Sequence, residues 1–528
     1  MIVSHQDPSL LVTDHALLVA YAHFAEQIGL ISAVEHVPFP MKTLMHSPAD
    51  KLIELLCHVL AGGMHIKELT KNTHPLVHDQ AVAEAWGQTS FASASGVSAL
   101  LQSASGDVVE AVKSALEQVV APYRRRLLRA LSPSWLVVDF DLTGLVVSDQ
   151  ATTYEGADFG HLGQGSGDAG VARGYQFARA QVAGETDAFV LGGFLHPGRT
   201  VSTQCLAELV ALTERRLGRP HRRVDCVQAR LADAEHNLAQ SEAELARLTE
   251  SGKAPRRREH LARRREQQQQ EIAGLRARLA QMEAENAANP SRRRIILRLD
   301  GAFGSAGNVA WLYEQGYSVV ARVQAHRVAM ALRKEDGLIW DKVSKNLFMA
   351  EAKRTMLGDC PYAVRLFLCR QWWGEKHPER FSALVVTPDL TLQAWPVRRV
   401  GVFYNGRQVI EAGIKESKGI FASRHLPTRH QAGIALYQEL VLFAQNLIRW
   451  FRRQCLGRSI LAAASIKELV RIGANSRAYI SVDGHTTQLT FAAECPWGGI
   501  TLSLRPHIGY QLWFPFLEDC SLLARAGP

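Results

Sequence analysis

The chain has 528 residues, 47% hydrophobic and 21% charged, which suits roughly two to four packed domains and excludes a mini-protein or a generally disordered chain. Its 60 basic and 51 acidic side chains leave a formal charge of +9, a bias that attracts a polyanion such as nucleic acid without requiring one. The cysteines at 57, 205, 226, 360, 369, 455, 495 and 520 contain no C-x-x-C pair, so neither a disulfide framework nor a zinc knuckle is expected, and a reducing cytoplasm fits. No run of about 20 apolar residues occurs, and the opening MIVSHQDPSL lacks a signal peptide's organisation, so neither a membrane nor export is expected.

Residues 1–130 read as a helical region, because ADKLIELLCHVLAGGMHIKEL and GDVVEAVKSALEQVVAPYRRRLLRAL carry apolar residues at helical spacing. The period changes near Pro133. WLVVDFDLTGLVV reads as a strand with Asp139 and Asp141 on one face, and YQFARAQVAGETDAFVLGGFLHPG continues the sheet. The amphipathic helix STQCLAELVALTERRLG closes a unit over 131–220.

Residues 221–290 carry heptads: Val224, Leu231, Leu238 and Leu245 in one column, and Val227, Ala234, Ser241 and Leu248 three residues later. After TESGKAP, a second arm places Leu261, Leu275 and Met282 in one column, broken by Gln268, and Ile272 and Leu279 in another. Two arms of about 35 to 40 Å, joined at Gly252 and Pro255, predict an inserted antiparallel helical hairpin. A solvated spacer, a dimerising coiled coil and a DNA-tracking arm are its alternative roles.

Alternating α/β order returns over 291–323: RRRIILRLDGAFGS reads as a strand ending at Asp300, NVAWLYEQG as a helix and YSVVARV as a strand. Residues 324–400 read as strand-rich. A helix is expected from Tyr404 to about Lys418 and another in ALYQELVLFAQNLIRWFRRQ, within 401–470. AYISVDGHTTQLTFA and ITLSL predict a small sheet in 471–528.

Asp141 and Asp300 end or interrupt apolar runs, where a carboxylate is costly unless it is exposed at a site edge, hydrogen-bonded or bound to a cation. Two such acids and a helical one could hold two Mg²⁺ ions roughly 3.5 to 4 Å apart for phosphodiester chemistry. YNGRQVIEAGIKESK supplies the helical acid. On one continuous helix, Tyr404, Arg407, Glu411 and Lys418 would project within about 60° of each other. Glu411 would then face the cations, while Tyr404, Arg407 and Lys418 would contact DNA. The arginine groups at 124–126, 256–258, 263–265 and 292–294 are further phosphate candidates.

These segments resemble, in order, the first-Asp, second-Asp and Glu regions of DDE transposases of bacterial insertion sequences, in the group marked by Tyr-(2)-Arg-(3)-Glu-(6)-Lys. The resemblance runs over about 130–470 and rests mainly on Tyr404, Arg407, Glu411 and Lys418. It implies an α/β fold with an RNase H-like core, interrupted by the helical hairpin and a β-rich insertion and preceded by a helical, end-binding N-terminal domain. It implies Asp141, Asp300 and Glu411 as catalytic metal ligands, with Asp139 competing for the first position, and Mg²⁺, or alternatively Mn²⁺, as cofactor. The implied partners are double-stranded DNA, as terminal inverted repeats and target, bound by a homodimer in the cytoplasm. Trp372 and Trp373, in the β-rich insertion, are expected to pack a small core, the alternative being stacking on a displaced base. A metal-dependent nuclease without strand transfer and an inactive DNA-binding or assembly protein are the competing accounts.

Overall fold

The computed structural model describes residues 11–42, 45–131, 135–148, 152–162, 170–184, 188–252, 254–289, 293–374, 378–457, 459–483 and 486–504. Arg292, and the part of the C-terminal region over 505–528, lie outside the described residues.

The described residues begin with a short strand, β1 (Leu11–Thr13), and then six α-helices: α1 (Ala16–Gln27), α2 (Leu30–Glu35), α3 (Pro48–Leu60), α4 (Gln80–Ala85), α5 (Ala94–Ser103) and α6 (Gly106–Leu131). Local signals start them. Ser47 and Asp50 form a reciprocal capping box at α3, and Asp79 accepts from the Val82 amide at α4, each satisfying donors that a helix start leaves unpaired.

Next come β2 (Leu136–Val146), β3 (Asp158–His161), β4 (Val171–Ala183), β5 (Ala188–Pro197), α7 (Ser202–Leu217), the long helices α8 (Val224–Glu250) and α9 (Pro255–Ala287), and β6 (Ile295–Leu299). They are followed by α10 (Ala306–Glu314), β7 (Ser318–Arg322), α11 (His326–Leu332), β8 (Asp341–Ser344), β9 (Leu347–Glu351), β10 (Arg365–Gln371) and β11 (Arg380–Val386). The last elements among the described residues are α12 (Val397–Asn405), α13 (Gln408–Gly419), α14 (Gln431–Cys455), α15 (Ile466–Arg471), β12 (Ala478–Asp483), β13 (Thr486–Phe491) and β14 (Thr501–Leu504).

The mixed sheet is ordered β3-β4-β2-β6-β7-β11-β10-β9-β8, with β5 also pairing with β4. β2 runs antiparallel to β4 and parallel to β6, and β6 runs parallel to β7. Strand alternation sorts the side chains. Leu136, Val138 and Phe140 of β2, with Ile295, Leu297 and Leu299 of β6, enter the large core, so Asp139, Asp141 and Arg298 fall on the opposite face. β11 pairs antiparallel with β7. The strands within 324–400 therefore prolong this sheet.

Helix α14 is buried from Gly433 to Phe451. Tyr21 and Phe24 meet Phe451 edge-on, and Tyr123 stacks on Trp450 with centroids 4.7 Å apart. Each such ring contributes about 1.5 to 3 kcal/mol by burial, and the contacts weld the first helices to the sheet in one core. β1 joins β12, β13 and β14 in a four-stranded antiparallel sheet, pairing Leu11 with Ile480. The N-terminal helices thus share packing with both later regions.

Helices α8 and α9 lie antiparallel. Arg276 reaches Glu235 at 2.7 Å and Arg257 reaches Glu244 at 2.5 Å, while Val227 and Ala234 pack with Ile272, Leu275 and Met282. Arg222 clamps the base of the hairpin, 2.7 Å from both Glu214 and Glu285. Among the described residues no helix is long and apolar enough to cross a membrane.

Candidate functional site

Paired residues of neighbouring parallel strands lie at the same level of a sheet. Phe140 of β2 pairs with Leu299 of β6, so the next residues, Asp141 and Asp300, sit side by side where β6 stops. Asp300 is held in a turn, its Oδ1 accepting from the Ala302 amide at 2.9 Å. Helix α13 lies against β2 and β4 and brings Glu411 to the same edge.

One guanidinium joins the three acids. Arg407 Nη2 lies 2.9 Å from Asp141 Oδ2 and 3.8 Å from Asp300 Oδ2, and Nη1 lies 3.1 Å from Glu411 Oε1. Asp141 is the most enclosed, its side chain 12% exposed, against 32% for Asp300 and 50% for Glu411. Burial pushes the Asp141 carboxyl up to about 6; Arg407 opposes the rise, and Asp300 and Glu411 add to it. Burial also works against the charge on Arg407, but the acids around it hold its pKa above the usual arginine value. Its Nε and Nη2 make no hydrogen bond. The guanidinium therefore balances charge from inside the site, with Nη2 held against Asp141.

Asp139 has a different environment. It is fully buried and takes two 2.7 Å hydrogen bonds from Arg298 Nε and Nη2, a forked pair. The structure thus separates two acids that share a strand face: Asp139 is consumed by an internal ion pair, and Asp141 faces Asp300 and Glu411.

The single helix expected from Tyr404 to Lys418 is interrupted. α12 ends at Asn405, Gly406 and Arg407 form a turn, and α13 starts at Gln408. Arg298 explains the break, because its Nη1 donates to the Phe403 carbonyl at 2.9 Å and lies 2.2 Å from where a Cβ on Gly406 would stand. Tyr404 consequently packs beside the smaller core, its hydroxyl donating to the Leu299 carbonyl at 3.3 Å. Lys418 donates to the Gly144 carbonyl at 2.9 Å. Arg407 meets carboxylates. All three residues expected on DNA thus have protein partners here. Arg124, from the first basic group, is buried against Glu117, which Arg216 shares.

Buried polar groups hold α13 in place, and none of them stands out by sequence spacing. Arg179, paired with Asp141 across β2 and β4, is fully buried and donates to Ser417 Oγ at 3.0 Å, the Gly413 carbonyl at 3.4 Å and Gln181 Oε1 at 2.6 Å. Gln445 of α14 donates to the same Gly413 carbonyl at 2.8 Å, and Arg449 pairs with Glu416. The one signal for them in the sequence is a charged residue inside an apolar strand, as in YQFARAQVA and IILRLD, which requires an internal partner.

Asp300, Tyr404, Arg407 and Glu411 line a cleft of about 640 Å³, whose other wall includes Arg322 and His326. Among the described residues no three His, Cys, Asp or Glu side chains converge at metal-binding distance; the carboxylates meet on the guanidinium. Their chemistry nonetheless fits a hard divalent cation, since all the donors are carboxylate oxygens. Burial chiefly raises Asp141, with Asp300 and Glu411 adding to it, and a bound cation would favour its charged form against both. No protein-family model matches the chain, and no curated protein matches it in sequence.

Proposed function

We propose that the chain is a metal-dependent DNA transposase of the insertion-sequence type, with Asp141, Asp300 and Glu411 holding Mg²⁺ or Mn²⁺. The observation that carries the reading is that these three acids, spread over 270 residues of sequence, meet on Arg407 where β6 ends beside the middle of β2. Strand order supports it as well. Three antiparallel strands (β5, β4, β2) followed by two parallel to β2 (β6, β7) form the sheet expected of an RNase H-like core.

When bound, the ions supply Lewis-acid activation of the attacking oxygen and stabilisation of the leaving 3′ oxygen. The protein's own part follows from its side chains. Asp141 must give up its proton to act as a ligand, so with its carboxyl near 6 in the metal-free site, cation binding should strengthen as pH rises through that value. Arg407 holds the three carboxylates together and offsets part of their charge.

The reaction has two transfers. Water first displaces a 3′ oxygen from phosphorus, leaving a 3′-hydroxyl on the element. That hydroxyl then attacks a target phosphodiester, forming a new P–O bond and releasing a target 3′-hydroxyl. Terminal inverted repeats and target DNA are the substrates, and a homodimer is the proposed unit in the DNA complex, formed in the cytoplasm. Glu411→Gln tests the reading: it should abolish divalent-dependent end cleavage and leave duplex binding largely intact. Undiminished cleavage by this variant would exclude the assignment.

A further inference from the structure

The α8–α9 hairpin changes character along its length. Its apolar contacts lie mostly in the half nearer the sheet, where Val227 and Ala234 meet Ile272, Leu275 and Met282, flanked by Leu231, Leu238 and Leu279; farther out, Leu261 is the one further fully buried apolar side chain among the described residues of the hairpin. The heptad column carrying Leu279 and Ile272 continues outward as Arg265 and Arg258. Arginine at seam positions forgoes the burial that an apolar residue would provide.

Charge follows the same division. Near the base, Arg222, Arg230, Arg276 and Arg278 are each tied to a carboxylate. Residues 256–265 hold six arginines and one glutamate. Two of the six are paired, Arg257 with Glu244 and Arg263 with Glu259. Arg256, Arg258, Arg264 and Arg265 make no ion pair among the described residues, and all but the half-buried Arg258 are exposed.

We propose that the distal half of this hairpin is a sequence-independent clamp for the phosphate backbone of duplex DNA. This rests on the transposase reading and names a DNA-binding surface beyond the catalytic cleft. The apolar seam closes within one chain, so a second copy finds no such seam to zip against, and two tips this basic would repel each other. Guanidinium forks suit phosphate oxygens. The arginine-bearing residues 256–265 span about 15 Å of helix, the length of roughly four base pairs.

The test uses the full-length chain with Arg256, Arg258, Arg264 and Arg265 all changed to Gln, and a second variant with the same four changed to Lys. Binding to a long random-sequence duplex is followed by fluorescence anisotropy over a KCl series in EDTA, with helicity checked by circular dichroism. The Gln variant should keep its helicity and bind at least tenfold more weakly. Its salt slope should fall by about 0.9 for each phosphate that the arm ceases to neutralise, and the Lys variant should retain most of the wild-type slope. Unchanged affinity and slope in the Gln variant would overturn the clamp, as would lost self-association on sedimentation with DNA binding intact. The catalytic reading is judged separately, by cleavage of a short end duplex by wild type and Glu411→Gln. Normal cleavage with an unaffected arm variant would sink the clamp alone, whereas a wild-type chain that binds no duplex would sink both.

Discussion

Asp141→Asn isolates the energetic cost of a site built to hold charge. The Asp141 carboxyl titrates near 6 in the folded chain against 3.8 for the free group. Below pH 4 both folded and unfolded states carry the proton, and the group contributes nothing. Between about 4 and 6 the unfolded state has lost its proton while the folded state retains it, so stability falls as pH rises. Above 6 the full cost applies, which for a shift of this size is about 3 kcal/mol. Asparagine resembles the protonated carboxyl and escapes that cost, while the other raised acids, Asp139, Glu54 and Glu439, remain in both proteins and largely cancel. The variant should therefore gain about 3 kcal/mol over wild type between pH 4 and pH 8 without metal. Urea unfolding of both proteins across that range, followed by tryptophan fluorescence in EDTA, measures the difference. Mg²⁺ at pH 8 should narrow it by stabilising wild type. A difference that stays flat with pH would refute the argument from burial.

Arg298→Met should destabilise the fold by about 3 to 5 kcal/mol, because it strands the buried Asp139 carboxylate; adding Asp139→Leu should recover most of that loss in urea unfolding. Gly413→Ala sets a helix-propensity gain of about 1 kcal/mol against a Cβ only 2.8 Å from Arg179 Nη2 and 2.9 Å from Gln181 Oε1. Arg179 is fully buried and has little room to yield, so α13 should shift, and end cleavage should fall at least tenfold while circular dichroism stays native. Trp372 and Trp373 are 42% and 44% exposed, contrary to the expectation that they pack a small core, so changing both to Ala should alter urea stability by no more than about 0.5 kcal/mol each.

Much of the secondary structure was legible because it is locally encoded. The heptads over 224–282 and the apolar strand ending at Asp300 needed only periodicity. That Asp139 is tied up in an internal ion pair was not legible, because it depends on Arg298, 159 residues away. The same arginine ends α12 beside Gly406, which splits a helix whose spacing alone reads as continuous. Long-range pairing hid two further features. β1 finds its partner in β12, and the strands after Val323 join the main sheet through an antiparallel return beside β7. Neither leaves a mark on local hydrophobic pattern.

The most direct measurement of the central claim incubates the purified chain with duplexes carrying the element's terminal repeats, supercoiled target DNA and Mg²⁺. Wild type should release 3′-hydroxyl ends and join them to target, while Asp141→Asn, Asp300→Asn and Glu411→Gln should each yield neither product with binding retained. Cleavage without joining would assign a nuclease instead. Joined products that survive loss of any of the three acids would contradict the account.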